Sequence, residues 1–429
     1  MTTTQQKQGN VVGIISMIFL FGMIAFVTNL ATPIGVIWKN QVADSTFLGF
    51  LGNAMNFIAY LLIGIPAGKL LTKIGYKKTA LTAIAVGLIG IFVQFLSSKA
   101  GDAGFYVYLA GAFIAGMCVC MLNTVVNPML NTLAGGGNKG NQLIQTGGAF
   151  NSLLATITPI MVGAMIGEAA KAAISDVNPL LFIAMGVFAL TFVILAFVPL
   201  KEIHKTDNVV YERSPWAFRH FVLGALAIFT YVGVEVGIPG MMIFWLSDST
   251  AAGAGLPVET AVATGMAIAA TYWFLMMVGR FVGGAIGGKV SSRAMMAAAT
   301  GIATVLVLAA MFTPSTVQVS MPAFTGSSFI ITQAPLSAML LVLCGLCTSV
   351  LWGAIFNLAT EGLGKYTPLA SGIFMVGVCG GGILPLIQGW LADNAGYMTS
   401  YWVVVAGILY MLFYALVGSK NVNKDIKVD

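Results

Sequence analysis

Apolar residues run in long blocks along this chain, and short polar or charged clusters close each block. Twelve blocks reach membrane-crossing length, at roughly 12–38, 47–71, 79–97, 104–132, 143–167, 178–199, 217–246, 258–286, 294–313, 335–359, 369–391 and 398–418. A helix of ~20 such residues crosses the hydrocarbon core of a bilayer. Lipid offers backbone groups no water to bond, so helices are the expected spanning form. The longest polar interruption, "KEIHKTDNVVYERSPWAFRH" at 201–220, leaves six blocks on each side. The pattern therefore predicts an all-α membrane protein of twelve transmembrane helices in two pseudo-symmetric six-helix bundles. Their expected bounds are 1–200 and 217–429, joined by a cytoplasmic linker at 201–216.

Short motifs recur in the same order in both halves. The first block carries "NLATPIGVIW" and the seventh "EVGIPGMMIFW", each a proline followed by a glycine and then a tryptophan. Pro159/Gly163 and Pro385/Gly389 repeat a Pro-x-x-x-Gly in the fifth and eleventh blocks. Four residues before Pro33 stands Asn29, and four before Pro239 stands Glu235.

Composition agrees with the pattern and adds an orientation. The chain is 58% hydrophobic and 8% charged, against about 25% charged in a soluble domain. With both termini inside, 17 of the 20 basic residues fall on the cytoplasmic side and Lys39, Lys99 and Lys171 remain outside, as the positive-inside rule demands. The net charge of +6 thus reflects topology and implies no nucleic-acid partner. Five cysteines, an odd count and all within the blocks, argue against a disulfide framework, and "CGLC" at 344–347 reads as small packing residues. Two isolated histidines, His204 and His220, make no metal site. The uncharged segment 314–334 could cover the outer entrance, but reads first as a passive outer loop.

Glu235 is the single acidic or basic residue between Phe221 and Leu246. A carboxylate at that depth costs several kcal/mol and is a functional candidate by default. It could load and release a proton or, ionised, help bind sodium. No arginine or lysine is expected at its level, and Arg280 reads as an anchor for the following loop. Uncharged polar groups are the candidate substrate contacts: Asn29, Asn56, Asn123, Asn127, Gln145, Asn151, Asn357 and Gln388, with Tyr272, Trp273 and Trp352 for stacking. Asn53 and Asn56, and Asn123 and Asn127, share helix faces. Amides both donate and accept, which suits hydroxyl-rich neutral solutes. One lone glutamate cannot be both nucleophile and base, which argues against an intramembrane enzyme. No ring of pore charges suggests a channel.

Several stretches resemble the major facilitator superfamily, and within it the fucose–galactose–glucose:cation symporter family. "GKLLTKIGYKKT" is similar to the loop signature G-x-x-x-D-R-x-G-R-R, with Thr72 for the aspartate and Tyr76 for an arginine. "MLNTVVNPML", "AFNSLLATITP", "FTYVGVEVGI" and "GLGKYTPLASGIFMVGVCGGGILPLIQGWLAD" resemble family motifs in spans 4, 5, 7 and 10–11, the last two specific to it. The fucose branch has an aspartate in span 1, where this chain has Asn29 counted from the proline, or Thr32 matched through Asn-Leu. Asn123 replaces that branch's span 4 acid and fits the glucose/galactose branch. "QTGGAFNS" is two residues longer than the usual Q-x-F-N, which leaves Asn151 the closer match and Gln145 displaced. The resemblance implies a major facilitator fold, import of a small neutral sugar with a co-transported proton or sodium ion and no other cofactor, and a functional monomer in the bacterial inner membrane. An uncoupled facilitator or exporter with a structural Glu235 is the alternative.

Overall fold

A computed structural model describes residues 3–133, 137–198, 213–286, 290–423 and 426. Most of the expected linker 201–216 lies outside them. Among the described residues twelve helices are long and apolar enough to cross a membrane. The first half holds α1 (Thr3–Val42), α2 (Thr46–Ile74), α3 (Tyr76–Leu96), α4 (Gly104–Leu133), α5 (Gly137–Met165) and α6 (Asn178–Phe197). The second holds α7 (Arg219–Ser247), α8 (Ala261–Ile286) and α9 (Ser292–Phe312). Its tenth span is α10 (Leu336–Thr348) with α11 (Leu351–Thr360). The eleventh is α12 (Thr367–Val376) with α13 (Gly380–Ala395), and the last is α14 (Tyr397–Ser400) with α15 (Trp402–Phe413). Below, "proximal" is the face where α1 begins and α15 ends, and "distal" is the opposite one.

Local chemistry explains the element ends. The Ser45 hydroxyl accepts from Leu48 N to cap α2. Gly75, at φ 85°, turns α2 into α3 in a conformation that favours glycine, and it is the glycine of the loop signature. Pro33, Pro128, Pro159, Pro239 and Pro385 sit inside helices, where neighbouring spans can satisfy the freed carbonyls. The eleventh span is interrupted at Gly377–Cys379 by a tighter turn. Small residues allow close packing. A Cβ on Gly90 would meet the backbone of Ala115, and one on Gly380 would strike Phe229.

The halves meet along two seams, α2 with α13 and α5 with α8. On the first, Asn53 Nδ2 donates to Gly381 O at 2.8 Å. On the second, Gly163 packs on Met266 and Ala263. The distal end is closed. Lys39 Nζ lies 2.9 Å from Asp44 Oδ1 and 3.1 Å from Asp248 Oδ2, and Tyr397 donates to Asp248 Oδ2 at 2.6 Å. Asp393 accepts from the Ser45 hydroxyl and from the amides of Thr46 and Phe47 at the free end of α2, an anion on a helix N-terminus. Beneath them Phe50 and Phe244 pack at 4.7 Å. Each of these contacts except Lys39–Asp44 and Tyr397–Asp248 joins one half to the other.

The segment expected to be a passive outer loop is a β-hairpin, β1 (Gln318–Phe324) with β2 (Phe329–Pro335), paired from Gln318↔Pro335 to Phe324↔Phe329. It folds back along α8. Phe324 N donates to Thr271 Oγ1 at 3.0 Å, and the rings of Phe324 and Phe329 lie 5.3 and 5.1 Å from Phe274. A ladder within the segment and a hydroxyl on α8 give its backbone the partners a free loop would seek in water.

Candidate functional site

Glu235 does have a cationic partner. Arg280 Nη2 lies 3.3 Å from Glu235 Oε1, with the side chains only 13% and 12% exposed. This corrects the reading of Arg280 as a loop anchor. Arg280 was placed by the position of its Cα along α8, but a guanidinium reaches several ångströms beyond its backbone, and here it extends toward α7. The second nitrogen, Nη1, donates to Gly148 O on α5 at 2.5 Å. One guanidinium therefore joins the acid of the second half to the backbone of the first. The Tyr231 hydroxyl approaches the same carboxylate but stays outside hydrogen-bond geometry.

Distal to this pair lies a small void lined by Thr28, Asn29, Thr32, Pro33, Pro159, Val236, Pro239, Gly240, Ile243 and Trp273. The prolines come from α1, α5 and α7, where the repeated motifs brought them. Its volume of about 10 Å³ is room for about one water. From Val236 to Ser247 every residue of α7 is buried, whereas Asn29, Asn123, Asn127, Asn151, Glu235 and Trp352 are half-buried and Asn357 is exposed. Solvent thus reaches the polar residues from the proximal side, and the distal side is sealed above them.

The predicted substrate residues do not form one cluster in this state. Asn29 and Trp273 share the void. Asn29 Nδ2 also bonds Ala25 O one turn back. Tyr272 is fully buried, its hydroxyl 2.9 Å from Thr348 Oγ1 and its ring edge-on to Trp273 at 5.3 Å. It backs Trp273 and does not face the void. Trp352 packs against Tyr231 and Phe374. Asn123 Nδ2 donates to Tyr60 OH, and Asn127 Nδ2 to Asn123 O. Asn151 Nδ2 ties α5 to α1 through Phe21 O. Asn56 and Gln388 lie buried with Asn56 Oδ1 and Gln388 Nε2 unpartnered. Such orphans call for an explanation by water or ligand. The Gln145 side chain lies outside the described residues.

Sequence reasoning missed Arg280, Tyr231 and Tyr60. A signal was present for the first: "RFVGGAI" continues apolar for six residues after Arg280, so the residue lies within its span and not at its end. Among the described residues no His/Cys/Asp/Glu group could hold a metal ion.

The arrangement is that of two helical bundles, each of six spans, meeting at a half-polar centre open to one side. A family model of the Major Facilitator Superfamily matches residues 14–384. The chain belongs to this superfamily. It is 31% identical to the glucose/galactose transporter of Brucella abortus, over 98% of this chain and 97% of the relative. It is 23% identical to the L-fucose-proton symporter of Escherichia coli, over 92% and 90%. These relatives place it in the fucose–galactose–glucose:cation symporter family. The crystal structure of the E. coli fucose:proton symporter superposes with a TM-score of 0.68, at 19% identity, over 96% of this chain and 100% of that one, which shows the shared fold. This major facilitator protein is therefore a multi-pass membrane transporter.

Proposed function

We infer that this transporter imports a monosaccharide, a hexose, by symport with a proton or sodium ion through alternating access. The observation that carries the reading is the mid-span Glu235, paired to Arg280 at 3.3 Å beneath a small polar void and a fully buried distal stretch of α7. A carboxylate that gains and loses a cation there gains and loses its pairing, which gives the cation a means of acting on the helices around it. The sugars for which the relatives are named, glucose, galactose and fucose, are neutral polyols. The amides of Asn29, Asn56, Asn123, Asn127, Asn151, Asn357 and Gln388 offer donors and acceptors for hydroxyls, and Trp273 and Trp352 offer faces for a sugar ring. The proximal face is the cytoplasmic one in this reading, by the distribution of lysine and arginine, and the membrane is the bacterial inner membrane. Each monomer carries a complete pathway.

The test is uptake of labelled hexoses into proteoliposomes under proton and sodium gradients imposed separately. Accumulation driven by one gradient and abolished by its ionophore supports symport and names the ion. The Arg280 partner also favours a second reading, in which Glu235 is held as a structural charge in a facilitator. Equilibration without accumulation under either gradient would select it.

A further inference from the structure

Arg280 stands where two requirements of a coupled carrier meet. Its guanidinium is largely buried and is held by two acceptors on different halves. Glu235 Oε1 on α7 takes Nη2, and Gly148 O on α5 takes Nη1. A Cβ at Gly148 would rest in ordinary contact with Nη1, at 3.5 Å. The Gly148 carbonyl is one of the helix interior, so Arg280 occupies its second lone pair. The two contacts differ in kind. Gly148 O is permanent, whereas the Glu235 carboxylate offers Arg280 an uncompensated negative charge only when it carries no cation.

We propose that Arg280 is the positioning residue that converts cation occupancy of Glu235 into movement along the α5/α8 seam. This rests on the symport reading above. With Glu235 ionised, the guanidinium is neutralised and held, and the fork reaches across to the first half. When Glu235 takes up a proton or sodium ion, the buried guanidinium loses its counter-charge. Breaking a buried pair in this way is strongly unfavourable, so the cation-loaded protein favours an arrangement in which Arg280 leaves the bridge. The tie between the halves then weakens at the level where sugar must pass. The ionisable groups near Glu235 are Arg280 and Tyr272 from α8 and Tyr231 from its own helix. Both phenols stay neutral across the physiological range, so Arg280 is the charge that responds. The fork itself matters. Lysine offers a single ammonium and cannot span two acceptors with the geometry of a planar guanidinium.

The experiment uses the full chain in lipid, with spin labels at Phe197 on α6 and Phe281 on α8, both exposed and one in each half. In wild type the distance distribution shifts between about pH 7 and about pH 4.5, or on adding sodium, as a carboxylate begins to take up protons. In Arg280→Lys the shift is lost. Counterflow, read alongside, reports that the variant is folded in lipid, while accumulation falls from tens to near unity, since the lysine preserves charge but not the fork. A purely structural arginine would leave the shift intact in Arg280→Lys, which would overturn the latch. A wild type that accumulates sugar with an indifferent distance overturns the latch alone. A wild type that never accumulates sugar overturns the symport reading itself. Arg280→Lys accumulating as wild type also overturns the latch.

Discussion

The distal closure depends on Asp248, and Asp248→Asn measures how much. Its carboxylate faces Lys39 at 3.1 Å, with side chains 6% and 7% exposed, and accepts from the Tyr397 hydroxyl and from Thr250 N. Removing one member of a buried pair costs ~3–5 kcal/mol. Lys39 keeps a second partner, Asp44, but that residue is 67% exposed, and such pairs contribute only ~0–1 kcal/mol. The low end of the range, about 3 kcal/mol, therefore applies. Lys39 belongs to α1 and Asp248 to the end of α7, so the loss falls on the distal-closed state. At ~1.4 kcal/mol per tenfold, the population open to the distal side rises by roughly 150-fold.

The assay is alkylation of Thr32→Cys, on the wall of the central void, by an impermeant maleimide supplied from the distal side. The rate should rise by about two orders of magnitude when Asp248→Asn is added, by the same arithmetic. An unchanged rate would refute the reasoning and assign closure to Asp393 and the packing beneath. The effect also has a pH signature. Burial pushes the Asp248 carboxyl up, but hydrogen bonds from Tyr397 and Thr250 and the Lys39 charge outweigh it and hold it below the usual range. For a depressed carboxyl, the stabilisation is complete above the ordinary aspartate value and vanishes as pH falls through the lowered one. Wild-type closure should therefore be flat from about pH 7 to about pH 5 and fail only below about pH 4.

Three other outcomes follow from the geometry. Glu235→Gln should abolish concentrative uptake and leave counterflow. A single mid-span carboxylate implies one charge per cycle, so about 2.3 kcal/mol per 100 mV drives wild type toward roughly 50-fold accumulation, and the variant toward equilibrium. Gly49→Leu should prevent distal closure, because a Cβ at Gly49 already lies 2.6 Å from Phe244 on the other half. Sugar binding should survive while transport stops, as equilibrium binding beside uptake would read. Thr271→Val removes the acceptor of Phe324 N and should lower the melting temperature by an amount equivalent to about 0.5–1.5 kcal/mol, the usual net worth of a hydrogen bond. A melting curve identical to wild type would mean that the hairpin is not anchored there.

The order and number of the spans follow from the sequence by a local rule. Any block apolar over ~20 residues must hide its backbone in a helix once it is in lipid, whatever its neighbours do, and the twelve blocks therefore became twelve spans. Glu235 was legible for the same reason, since the energetic cost of a carboxylate depends on its depth and not on its partner. The glycine turn at Gly75 likewise needed only its own backbone. What the sequence could not decide were relations between residues far apart in the chain. Arg280 meets Glu235 45 positions away and Gly148 132 positions away. Lys39 meets Asp248 across 209 positions, and the hairpin finds its acceptor on a helix two spans earlier. Periodicity fixes which residues share a helix face, but not how that helix is rotated against another or how far a long side chain reaches. Packing of small residues sets those rotations in this protein. It therefore fell to the tertiary structure to place a single guanidinium between two acceptors in opposite halves and to close the distal face.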